Sequence, residues 1–113
     1  MKAPKHIENM DAKEQVKIIR REIKKVAPKV SVKMARGTAW GWIDISGSAT
    51  KWGIFTDAEK QALETLGIAH GMNCANIHPD DRGYWVAKLT GQLVPETPAE
   101  KDRRARERYA RFD

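Results

Sequence analysis

Between Met10 and Ala27 the apolar residues Ala12, Val16, Ile19, Ile23 and Val26 recur at intervals of three and four. That spacing keeps returning to one face of a helix and predicts a single buried stripe. Asn9 or Asp11 suits the N-cap, and Pro28 stops the helix. The period then changes to two. Val30, Val32 and Met34 alternate with Ser31 and Lys33, which predicts a strand over 30–35. Arg36-Gly37-Thr38 reads as a turn. Ala39-Trp40-Gly41-Trp42-Ile43-Asp44-Ile45-Ser46 reads as a second strand, making residues 30–46 a hairpin. Alternation puts Gly41, Ile43 and Ile45 on the core side with Val30, Val32 and Met34. It puts Trp40, Trp42, Asp44 and Ser46 on the other side with Ser31 and Lys33.

Residues 47–55 are rich in Gly, Ser and Thr and read as a loop. Thr56-Asp57-Ala58-Glu59 is a capping box and opens a helix to about Leu66. Gly67 suits the left-handed position after that helix, and Ile68 supplies the closing hydrophobic contact. Residues 69–78 are irregular, with room for a short strand near 73–77. Pro79, Asp80 and Asp81 suit the first turn of a helix carrying Tyr84, Trp85, Val86 and Leu89. Gly91 ends it, and Leu93 and Val94 either form a last short strand or pack down. Pro95 and Pro98 mark a linker. Thr97-Pro98-Ala99-Glu100 is a second capping box, predicting a terminal helix over 99–112. Its apolar stripe of Ala105, Tyr109 and Phe112 is thin, so it needs a partner surface.

The fold class expected is α+β: one small domain over 10–94, with an antiparallel hairpin or small sheet packed against about three helices. A flexible lead (1–9) precedes it, and a linker and basic helical arm (95–113) follow.

Composition adds direction. The chain has 113 residues, 41% hydrophobic, enough for one core. Its net charge is +6. The excess is concentrated in residues 1–28, which carry 8 Lys/Arg against 4 Asp/Glu, while residues 96–113 carry 6 against 5. Such a balance favours acidic partners, either nucleic acid (DNA or RNA) or an acidic protein surface. Cys74 is the single cysteine, so no intrachain disulfide can form. No apolar run approaches the ~20 residues that span a bilayer. These features predict a cytoplasmic location and no membrane partner.

The candidate chemistry lies on surfaces. Lys13, Lys17, Arg20 and Lys24 form a basic stripe roughly 100° around the first helix from its apolar stripe, placed to track phosphates or simply to meet solvent. Trp40 and Trp42, beside Lys33 and Arg36, interleave aromatics with cations, as surfaces that stack unpaired bases do. The competing fates are burial under a helix, usual for Trp, and a protein-binding hot spot. In the tail, Arg103, Arg104, Arg108, Tyr109 and Phe112 form a candidate partner-binding arm that folds on binding. His70, Cys74 and His78 have metal-ligand chemistry, but along a strand the outer two lie ~25 Å apart. Nothing orients Cys74 as a nucleophile, and the glycines lack a phosphate-loop spacing. No catalytic residue, metal or cofactor is assigned.

The basic helix followed by "VSVKMARGTAWGWIDISG" resembles the small helix-plus-hairpin accessory domains of large polyvalent proteins of phages and plasmids, over residues 12–47. That resemblance implies a mobile-element accessory protein and nothing catalytic. The expectation is a non-catalytic nucleic-acid-binding protein. The alternative is a protein-interaction module, a phage- or plasmid-type inhibitor or adaptor, using the Trp40/Trp42 face and the C-terminal helix.

Overall fold

Two short antiparallel strands carry the alternation of residues 30–46: β1 (Ser31–Met34) and β2 (Ile43–Ser46), with Val32 opposite Ile45 and Lys33 opposite Asp44. The computed structural model describes residues 1–36 and 40–110, and only the backbone of residues 104 and 107–110. A third strand, β3 (Ala75–Ile77), pairs antiparallel with β2 and completes a sheet of order β1-β2-β3. The helices are α1 (Lys5–Glu8), α2 (Ala12–Val26), α3 (Asp57–Leu66), α4 (Arg82–Leu89) and α5 (Pro98–Ala110). The protein is thus an α+β domain. None of its described helices is long and apolar enough to cross a membrane.

Period two decides which sheet face is buried. Val32, Ile43, Ile45, Ala75 and Ile77 point into the core with Val16, Ile19 and Ile23 of α2 and Val86 and Ala87 of α4. Helix α2 packs on both α4 and β1, and α1 packs on α4. Fully burying each Val or Ile stabilises the fold by ~1.5–3 kcal/mol, so this layer dominates stability.

Three expectations need correction. Residues 1–9 are not a loose lead: Ala3 and Ile7, four apart, are both buried in the core. Lys2 exchanges two backbone hydrogen bonds of 3.0 Å with Val94. Val26 is 52% exposed. Ala27 takes the last core position instead, and Val26 rims a shallow groove with Ala58, Ala62 and Leu66 of α3. The strand read from Ala39 begins only at Ile43, because Gly41 sits at φ 92° and turns the chain.

The α3 boundaries follow the sequence closely. Thr56 Oγ1 accepts from the Glu59 backbone N–H (3.1 Å), and the Glu59 carboxylate accepts from Thr56 N (2.8 Å). Gly67 lies at φ 80°, and Ile68 N donates to Leu63 O (2.9 Å). The capping residue does more than the motif implies, because Glu59 also accepts from Ser48 N (3.0 Å) and Ser48 Oγ (2.7 Å). It therefore ties the 47–55 loop to α3. Burial pushes its pKa up, but the hydrogen bonds from Thr56 and Ser48 together hold it below the ordinary 4.5. The fold thus favours the ionised carboxylate. Its contribution is complete above about pH 4.5 and fades as pH falls through the lower folded-state value. Replacing Glu59 with Gln should therefore cost stability at neutral pH by ~1–2 kcal/mol. Urea unfolding across pH should show the gap between wild type and variant narrowing in acid. A gap independent of pH would mean that charge is not the source.

Candidate functional site

The sheet face opposite the core is open. Lys33, Asp44 and Asn76 stand in register across the three strands, and all three are exposed. With its amide nitrogen turned toward Asp44, Asn76 donates to Asp44 Oδ1 at 2.9 Å. One residue before β2, Trp42 O accepts from Ala35 N (2.8 Å) and extends the ladder toward the hairpin end. The Trp42 indole is half-buried and meets the His78 ring edge-on, centroids 4.7 Å apart. Trp40 lies in the turn itself and is 60% exposed. The two indoles are therefore not equivalent strand positions. Trp42 is braced on the sheet, and Trp40 projects from its end.

A chain of polar contacts holds that turn. Gln15, 4% exposed, donates through Nε2 to Ile7 O (2.9 Å). Its Oε1 accepts from Arg82 Nε (3.0 Å), and Arg82 Nη1 donates to Gly41 O (2.6 Å). One guanidinium thus connects α2, α4 and the turn before β2. Gly41 is required twice over. Its φ is left-handed, and a Cβ there would lie 2.7 Å from Arg82 Nη1. Each contact joins residues far apart in sequence, so no local motif reveals the network.

The basic stripe of α2 reaches the sheet through Arg20. Lys13, Lys17, Arg20 and Lys24 are all exposed. Arg20 Nε donates to Val32 O (2.9 Å) on the outer edge of β1. That contact occupies part of an edge otherwise ready to pair with another strand. It brings one residue of the stripe to the β1 edge, while Lys33 and Arg36 are exposed on β1 and just after it.

The described start of the arm is anchored to the N-terminal segment. Lys2 forms an ion pair with Glu100, and Thr97 and Glu100 make the second capping box at 3.2 and 3.3 Å. The lysine's hydrogen bond and that of Thr97 keep the Glu100 carboxyl below its usual range. Beyond this anchor, Lys101, Asp102, Arg103, Ala105 and Arg106 are exposed. The Arg104, Arg108 and Tyr109 side chains and all of Phe112 fall outside the described residues, as do Gly37 and Thr38 of the predicted turn and Ala39 at the predicted strand start.

Trp52 is the residue that pattern reading passed over. It stands at the tip of the 47–55 loop, 71% exposed, with Lys51 Nζ 4.9 Å from its ring centre. Met72, 69% exposed, lies on the adjoining segment, where its carbonyl accepts from Phe55 N (3.1 Å). The signal was the Lys51-Trp52-Gly53 triplet, a large aromatic between a cation and a glycine in a polar loop.

His70 contacts Gly71 O (3.0 Å) and Glu64 (3.2 Å), while His78 Nδ1 accepts from Asp80 N (3.0 Å). The two histidines thus serve separate local structures. Among the described residues no group of three His, Cys, Asp or Glu is arranged to hold a metal ion.

No family model, curated protein or solved structure matches this chain.

Proposed function

We propose that this chain is a small non-catalytic nucleic-acid-binding protein that takes single-stranded substrate on the open face of its sheet. Trp40 and Trp42 stack bases. Lys33 and Arg36 contact phosphates at the rim, and Lys13, Lys17, Arg20 and Lys24 extend the positive border along β1. The observation that carries the reading is the uncovered row of Lys33, Asp44 and Asn76, with a 60%-exposed Trp40 in the turn that leads into β2. A single strand suits this face better than a duplex, because stacking on a side chain needs an unpaired base. The likeness of residues 12–47 to accessory domains of phage and plasmid polyvalent proteins supports a mobile-element setting for this activity. A cytoplasmic location accords with the single cysteine.

Salt dependence tests the reading. With about four phosphates contacted, affinity for a single strand should fall roughly fiftyfold between about 50 and about 200 mM salt. Gel shifts with single- and double-stranded DNA and RNA measure it, and no binding at low salt to any of the four would end the proposal. A second reading, an adaptor or inhibitor that docks on a partner protein, is favoured by the exposure of Trp52 and Met72 and of the α5 side chains. Its affinity should be nearly indifferent to salt.

A further inference from the structure

The geometry points to a single-stranded RNA of about four nucleotides lying along β2, from Trp40 and Trp42 at the hairpin end to Trp52 at the other. This inference rests on the proposed function and names the substrate and its path.

The position of the 47–55 loop supplies the second stacking platform. Gly47 N donates to Gly53 O (2.6 Å), so the loop doubles back at the end of β2. The side of the sheet it returns to is set by Gly53: a Cβ there would stand 3.0 Å from Ser46 Cβ. Ser46 has the same outward parity as Asp44, so Gly53 lies against the outward side of the strand end. Asn73 Nδ2 holds Trp52 O at 3.5 Å, against the start of β3. Trp52 therefore stands at the opposite end of β2 from Trp40, and both residues are exposed. From Trp42 to Ser46 is four strand residues, ~13 Å. Single-strand sites on comparable sheets begin at about four nucleotides.

The charge layout orients the strand. Lys33 ends the row and Asp44 is exposed at its centre, while Arg36 and Lys51 are exposed on the segments that follow β1 and β2. A carboxylate repels phosphate and only accepts hydrogen bonds. Phosphates therefore follow the basic rim, and sugars and base edges pass over Asp44, Asn76 and Ser46. A ribose 2′-hydroxyl gives Asp44 a donor at each sugar, which deoxyribose lacks.

Fluorescence anisotropy with an eight-nucleotide RNA of mixed sequence, its DNA counterpart and a two-nucleotide RNA tests this. Trp52→Ala should weaken the eight-nucleotide RNA roughly tenfold. Trp52→Phe should restore most of the loss, and the DNA should bind more weakly than the RNA. The two-nucleotide RNA, too short to span both platforms, should bind weakly and respond little to Trp52→Ala. If Trp40→Ala weakens binding while Trp52→Ala leaves it unchanged, the path is wrong although the proposed function stands. Equal affinity for DNA overturns the assignment to RNA. Failure of the wild-type protein to bind any strand at low salt overturns the proposed function itself.

Discussion

Replacing Gln15 with alanine should destabilise the protein by ~2–3 kcal/mol. The substitution sits on a helix and would improve intrinsic propensity, so a local view expects a gain of a few tenths. Three losses oppose it. Arg82 Nε loses its acceptor while half-buried, Ile7 O loses one of its donors, and a hole opens between α2 and α4. Leaving a donor of a charged group without an acceptor is the largest of these. The second consequence concerns the surface. Arg82 is the only described side chain that donates to Gly41 O, and without Gln15 the guanidinium loses one of the two contacts that fix it. The turn presenting Trp40 should then loosen. Urea unfolding measures the first effect, and hydrogen exchange at Gly41 and Trp42 measures the second. Arg82→Lys should reproduce much of both, because an ammonium cannot bridge Gln15 and Gly41 as a planar fork does. Wild-type stability in Gln15→Ala would show that the network is incidental.

Removing both indoles, Trp40→Ala with Trp42→Ala, should weaken single-strand binding by at least about thirtyfold, since each stack is worth ~1–3 kcal/mol. The loss should fall unequally. Trp40 is 60% exposed and outside the core, so its removal should leave stability near wild type while reducing affinity. Trp42 contacts His78 and extends the ladder, so its removal should also cost some stability. Measuring affinity and unfolding for each single variant separates the two roles. Affinity unchanged in the Trp40 variant would exclude the turn from the binding surface. Charge substitutions on α2 should act differently. Lys17→Ala and Lys24→Ala should each lower the salt slope by about 0.7, with little dependence on base identity.

Local chemistry was legible wherever a segment's neighbours in sequence are also its neighbours in space. The capping boxes at Thr56 and Thr97, the left-handed Gly67 and the inward Ile43 and Ile45 all follow from spacing of four residues or fewer. The strand start was misread for the same kind of reason. Alternation alone runs through Trp40-Gly41-Trp42, and only Arg82, forty-one residues away, shows why Gly41 turns. Ala3 and Ile7 were passed over because two apolar residues in nine make no periodic signal, yet the core beside α4 has room for both.

The same division runs through the candidate site. Sequence by itself determined the parity of β2, the basic stripe of α2, the α3 caps and the α+β class, because periodicity and capping are properties of neighbouring residues. Tertiary structure alone decided that Lys33, Asp44 and Asn76 on the second sheet face are exposed, that Arg20 reaches the edge of β1, and that the 47–55 loop doubles back at the end of β2. Those depend on which elements pack together, and packing is settled by contacts between residues tens of positions apart.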